Sequence, residues 1–152
     1  MKLQHILLKV NVVKIVGDKN KEITNINFNS KKITKNGLFV AIRGLVADGH
    51  DYIDNSIKSG ASVIFAEILP EKLHKDITYI CVKNTHKSLS QLASIFYNYP
   101  SKSIRLIGVT GTNGKTTIVS LLHQLFTLLN KKSGMISTIE NKIIDKVIPS
   151  TH

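Results

Sequence analysis

One cysteine, Cys81, stands in 152 residues. It has no intrachain partner, so no disulfide framework holds this fold. It also sits in an apolar, strand-like run with no companion at metal-ligand spacing, which leaves no zinc site to propose. Such cysteine usage fits a reducing, cytoplasmic location. No run of about 18 apolar residues exists, which excludes a membrane-spanning helix. The apolar start, Met1 to Lys9, is interrupted by Gln4 and His5 and is too short for a signal peptide. No membrane partner is expected.

Arginine is scarce. Arg43 and Arg105 are the only ones, so the formal charge of +11 is carried almost wholly by lysine. A basic chain invites a nucleic-acid reading. These lysines are scattered instead of gathered on one helix face. Ile, Lys and Asn are abundant together, the bias expected of A+T-rich codons. We therefore expect no nucleic-acid partner. A basic surface still attracts an anionic substrate.

Strand-like and helix-like patterns alternate, which gives the α/β class. Leu3, Ile6 and Leu7 line one face of a short helix over 2–9. Residues 12–16 and 22–29 read as strands joined by a turn at Gly17-Asp-Lys-Asn20. Leu38–Ile42, Ser62–Ala66 and Thr78–Val82 read as buried strands. A helix over 52–59 stops at Gly60. Asn84 or Thr85 caps a helix with Leu89, Leu92, Ala93 and Phe96 on its apolar stripe, and Pro100 ends it.

The densest signal lies further on. Ile104 to Val109 reads as a buried strand that runs into the glycine turn Gly111-Thr-Asn-Gly114. Lys115, Thr116, Thr117 and an apolar-periodic helix to about Asn130 follow. Strand, glycine turn, Lys-Thr, helix is a phosphate-binding arrangement. A helix N-terminus presents unpaired N–H groups and a positive dipole end to an anion. Gly111 and Gly114 let the backbone curl around phosphates without a Cβ in the way. Lys115 is placed to reach the β- and γ-phosphates, and the Thr116 hydroxyl to ligate Mg²⁺. The strict pattern requires glycine five residues before Gly114, where Val109 stands. Leu121, Leu122, Leu125 and Leu129 are read as the buried face of the helix. Strand, loop, helix and a further strand over 134–139 make a single β-α-β unit.

Gly108-Val-Thr-Gly-Thr-Asn-Gly-Lys-Thr-Thr117 resembles the ATP loop of the Mur ligases, which tolerate a residue other than glycine at the position of Val109. Phe28-Asn-Ser-Lys31 resembles that family's Leu-Asp-Ser-Arg element. Gly37-Leu-Phe-Val-Ala41, Gly44 and Asp48-Gly-His-Asp-Tyr-Ile53 resemble its next stretch. Ser59 to Glu67, Ile95 to Ser101, Ile136 to Asn141 and Pro149-Ser-Thr-His152 also fit, most closely the UDP-N-acetylmuramoyl-tripeptide synthetases.

The resemblance implies an N-terminal UDP-substrate-binding α/β domain over 1–100. The first β-α-β unit of a P-loop ATPase domain then follows over 101–152. It implies an ATP-dependent amide ligase of peptidoglycan precursor synthesis. That ligase joins an amino acid, with diaminopimelate preferred over lysine, to UDP-N-acetylmuramoyl-L-alanyl-D-glutamate by way of an acyl phosphate. Phe28, Ser30, Leu45, Val46, Ala47 and His152 carry over to the UDP substrate. Gly111, Thr112, Asn113, Gly114, Lys115, Thr116 and Thr117 carry over to ATP, with Lys115 catalytic and Thr116 on Mg²⁺.

Two departures stand beside the serine: the family's Asp and Arg are Asn29 and Lys31, and lysine lacks arginine's bidentate fork. Taken alone, Ser30 is a turn serine and His50 a residue that shapes its loop. His5, His74, His86 and His123 show no metal spacing. The resemblance further implies that the rest of the central domain and the amino-acid pocket lie outside these residues. The chain is thus expected to be part of a longer, monomeric enzyme and not to complete the reaction alone. A UDP-ligand-binding module without catalysis, another Mur-type ligase and a small kinase are the alternatives.

Overall fold

The computed structural model describes residues 1–150 and divides the chain into two compact units, Met1–Ile104 and Arg105–His152. Helix α1 (Leu3–Leu7) opens the first unit and buries Leu3 and Ile6. The strands are β1 (Lys14–Val16), β2 (Ile26–Asn27), β3 (Gly37–Val40), β4 (Ala61–Ala66) and β5 (Thr78–Cys81). Helix α2 (Ile53–Lys58) lies between β3 and β4, and helix α3 (Thr85–Phe96) follows β5. The sheet order is β1-β5-β4-β3-β2, with β2 to β5 mutually parallel and β1 antiparallel at the edge.

Period-two alternation builds two cores from the same strands. Leu38, Val40, Val63, Phe65 and Ile80 point to one face. There they meet Leu3 and Ile6 of α1 and Leu92 and Ile95 of α3. Phe39, Ala41, Ile64, Ala66 and Tyr79 point to the other face and meet Ile53 of α2 and Ile33. A sheet covered on both faces reads as continuous apolar runs, as 38–41 and 63–66 do. Asn84 caps α3 by accepting from the Lys87 N–H at 2.8 Å. Asn98 and Tyr99 then turn left-handed (φ +57° and +54°) ahead of Pro100. Two consecutive left-handed residues before a proline end the helix.

The segments on either side of Gly17–Asn20 do not pair with each other. β1 and β2 lie at opposite edges of the sheet, because β1 joins β5 and β2 joins β3. The turn at 17–20 therefore opens a connection across the sheet instead of closing a hairpin.

The second unit contains α4 (Lys115–Leu128) and an antiparallel meander of β6 (Gly134–Ile136), β7 (Glu140–Ile143) and β8 (Lys146–Pro149). Helix α4 begins one residue after Gly114, as expected. The first strand of the expected β-α-β unit does not form. Residues 104–109 carry no regular secondary structure, and Ile104, Leu106 and Ile107 are exposed. A strand needs a neighbour for its ladder, and β6, which was to supply it, pairs antiparallel with β7 instead.

Leu121, Leu125 and Leu129 are exposed, against the expectation that they are helix core. The three-stranded meander covers only a narrow stripe of α4. Within that stripe His123 is buried and its ring meets Ser133 Oγ at 2.8 Å.

Candidate functional site

Four parallel strands end on one edge of the first unit, and ligands of open α/β sheets bind outside the carboxyl ends of such strands. Two loops named from the sequence leave from there. After β2, Asn27 Oδ1 accepts from the Asn29 N–H and Asn29 Oδ1 from the Lys31 N–H, both at 3.0 Å. These bonds wind residues 30–32 into a 3₁₀ turn that packs against α2. Ser30 is buried at the start of this turn, and Phe28 is exposed beside it. Asn29 thus supplies the acceptor its position needs without a charge.

After β3, residues 43–48 form a closed turn. Arg43 and Asp48 face each other in an antiparallel bridge, and Gly44 N–H donates to Ala47 O at 2.9 Å. Leu45 and Val46, at the tip, are fully exposed (107% and 100%).

A connected polar network holds the base of that turn. Asp48 Oδ1 accepts from the His50 N–H at 2.9 Å and from His50 Nδ1 at 2.6 Å, and Asp48 Oδ2 from Arg43 Nε at 3.2 Å. On its far side, His50 Nε2 receives the N–H groups of Glu67 and Ile68 at 3.1 and 3.3 Å. Backbone N–H groups only donate, so Nε2 is the acceptor and the ring proton sits on Nδ1, facing the carboxylate. Glu67 Oε1 accepts from Thr85 N–H at 2.9 Å and Thr85 Oγ1 at 3.0 Å, at the start of α3. His86 Nε2 donates to Arg43 O at 3.1 Å.

Hydrogen bonds to the charged form hold both carboxyls below their ordinary values. For Asp48 the His50 N–H contributes most, then its ring. For Glu67 the Thr85 N–H contributes most, against partial burial.

The sequence reading reached His50 as a turn-shaping residue, and its bonds to Asp48 and to the end of β4 are of that kind. It missed Glu67, Thr85 and His86 as members of one network. For Glu67 the only signal was its place directly after an apolar strand run, and Thr85 was legible only as a candidate helix cap.

In the second unit, Gly111 has φ +152° and Gly114 has φ +77°. Gly114 occupies the N-cap of α4, and no side chain caps that end. The first N–H groups of the helix are therefore not consumed by a capping oxygen. Lys115 Nζ folds over the turn to Gly111 O at 2.6 Å and Thr112 O at 3.0 Å. Thr112, Asn113 and Thr117 are exposed and Thr116 is half-buried. His152 lies outside the described residues. Among the described residues no cluster of three His, Cys, Asp or Glu side chains is arranged to hold a metal ion, and no helix is long and apolar enough to cross a membrane.

These features define an α/β protein with an open parallel-sheet unit followed in the chain by a unit built on a glycine turn and an uncapped helix start. The chain belongs to the Mur ligase family. The model described as "Mur ligase family, catalytic domain" matches residues 22–97, and "Mur ligase middle domain" matches residues 109–152.

A UDP-N-acetylmuramoyl-L-alanyl-D-glutamate–2,6-diaminopimelate ligase of Cytophaga hutchinsonii is 43% identical over 153 aligned residues. The alignment covers 100% of this chain and 32% of that protein. The ligase of the same name from Clostridioides difficile is 43% identical over 145 residues, covering 95% and 29%. The chain spans about a third of the length of the curated relatives it matches.

Among solved structures, the MurF ligase from Thermotoga maritima in complex with ADP aligns with TM-score 0.54 at 32% identity, covering 72% of this chain and 24% of that one. A solved UDP-N-acetylmuramoyl-L-alanyl-D-glutamate–2,6-diaminopimelate ligase aligns over 98% of this chain and 30% of its own with TM-score 0.75. At 18% identity that likeness concerns the fold alone.

Proposed function

We propose that the chain carries the UDP-substrate site and the ATP loop of an ATP-dependent ligase. That ligase joins 2,6-diaminopimelate to UDP-N-acetylmuramoyl-L-alanyl-D-glutamate. The observation that carries this reading is the identity to ligases of that name along the whole chain, in both units. Residues 1–100 are the UDP-substrate part and 101–152 the opening of the ATP part. Phe28, Ser30, Leu45, Val46 and Ala47 contact the UDP end. Two observations support this: Phe28 and Ser30 leave β2, and Leu45 to Ala47 leave β3, at the same sheet edge; and the apolar Leu45 and Val46 are fully exposed.

The residues of the second unit fit a triphosphate. Among the described residues, the N-terminus of α4 has no side-chain cap, nothing beyond Gly114's own chain neighbours lies within 4 Å of where a Cβ would stand, and the Lys115 ammonium lies over the turn. Gly111 to Thr117 would hold the phosphates and Thr116 the Mg²⁺. When bound, ATP and Mg²⁺ supply the phosphoryl group and its charge neutralisation. The part this chain plays is to orient the phosphates on backbone N–H groups and to place one cation beside them.

Titrations of the chain with UDP and with Mg²⁺·ATP, repeated on Lys115→Ala, test this. The substitution is expected to leave UDP affinity unchanged and weaken ATP at least about tenfold, the worth of roughly one charge-assisted contact. ATP affinity equal to wild type in the variant removes Lys115 from the site. A second reading, a UDP-ligand-binding module without nucleotide use, draws on the unpaired segment 104–109. Binding of UDP with no binding of ATP would select it.

A further inference from the structure

Leu45 and Val46 are fully exposed, so their positions are set from the base of their turn. That base converges on one side chain. The two oxygens of Asp48 take three donors: His50 N–H, His50 Nδ1 and Arg43 Nε. Each donor ties the turn to something different. The Arg43 contact closes the turn across its own mouth. The His50 ring passes the attachment to the N–H groups of Glu67 and Ile68, at the end of β4 in the middle of the sheet. Arg43 O is held in turn by His86 on α3. Gly49 N–H donates to Ile42 O at 2.8 Å and completes the closure.

We infer that Asp48 is a positioning residue for the UDP end of the substrate. Through Arg43 and His50 it holds the Gly44–Ala47 turn in one conformation at the carboxyl edge of the sheet. This rests on the reading above that the turn contacts UDP. A ligand that meets a turn already in place does not spend binding free energy on ordering it. Without the carboxylate the turn samples other conformations, and the apparent Kd rises as the competent fraction falls. A fall of that fraction to about a tenth raises Kd about tenfold.

The test is calorimetric titration of UDP into the chain and into Asp48→Ala, Asp48→Asn and Leu92→Ala. Leu92 is buried among the residues facing α1 and α3, so its truncation destabilises the same unit without touching the turn. Asp48→Ala is expected to weaken UDP about tenfold. Asp48→Asn keeps an oxygen for His50 but loses the charge facing Arg43, and falls between. Leu92→Ala keeps the wild-type Kd.

Wild-type affinity in Asp48→Ala overturns the inference and leaves UDP binding standing. Equal weakening in Leu92→Ala also overturns it, because the effect is then general destabilisation. No UDP binding by the unsubstituted chain overturns the UDP reading itself. If Asp48→Ala does not fold, Asp48→Asn decides: a Kd within twofold of wild type overturns the inference, and a larger rise supports it.

Discussion

Adding one methyl group at Gly49 is a sharp test of the closed turn. A Cβ built there lies 2.5 Å from Ile42 N, 2.6 Å from Ile42 O and 2.9 Å from Ala41 C. All three are backbone atoms, so no side chain can swing aside. The backbone at Gly49 is not left-handed, so the penalty is lack of space and not strain in φ. Relief requires the chain at 41–42 and 49 to part, which breaks the Gly49 N–H bond to Ile42 O and displaces Asp48 next to it.

Overpacking of this kind costs about 1–3 kcal/mol, and the lost hydrogen bond about 1 kcal/mol. Alanine returns about 0.4–1 kcal/mol by restricting the unfolded chain. Gly49→Ala should therefore destabilise the first unit by about 1–3 kcal/mol. For a unit of this size that lowers Tm by about 5–20 °C. The urea midpoint should fall by about 1 M.

The chain has no tryptophan, and its four tyrosines, at 52, 79, 97 and 99, all lie in the first unit. Tyrosine emission therefore reports unfolding of that unit alone. A Gly49→Ala chain with an unchanged urea midpoint would refute the reasoning, because it would mean that the turn is not seated against 41–42 at all.

Acid should loosen the same unit. Asp48 and Glu67 are held below their ordinary carboxyl values, so the folded state binds fewer protons than the unfolded chain. Their contribution is complete above the unfolded values, about 3.9 for Asp and 4.3 for Glu, and disappears as pH falls through the lower folded ones. The tyrosine-monitored urea midpoint should drop from pH 6 to pH 3, and less so in Glu67→Gln; identical pH dependence in the two chains would count against the Glu67–Thr85 contact. In the second unit, Leu121→Lys should shift stability by less than about 0.5 kcal/mol because Leu121 is 58% exposed. Met135→Ala, at 3% exposure, should cost about 2–5 kcal/mol. Far-UV circular dichroism melts compare the two, and a large loss in Leu121→Lys would mean that this face is packed.

Much of the first unit was legible from residue order alone. The apolar runs at 38–42, 62–66 and 78–82 became β3, β4 and β5, because a strand buried on both faces must be apolar at successive positions. Asn84 before a periodic stretch became the cap of α3, because that oxygen is needed wherever a helix starts. The glycine turn followed by Lys-Thr became the start of α4 for the same local reason. The ordered series of motifs was enough to indicate the Mur ligases.

Tertiary structure decided which segments are neighbours. Ile104 to Val109 has the composition of a buried strand, yet composition cannot provide the adjacent strand whose carbonyls and N–H groups complete a ladder, and the segment is unpaired. The leucines of α4 have helical spacing, but spacing gives only the direction of a face and not what covers it. The residues flanking Gly17–Asn20 look alike as strands and lie at opposite edges, because pairing is settled by the packing of the whole sheet. Asp48, His50, Glu67, Thr85 and His86 span 39 positions in the sequence. They meet because parallel strands deliver their carboxyl ends to one edge, and that convergence exists only in the folded chain.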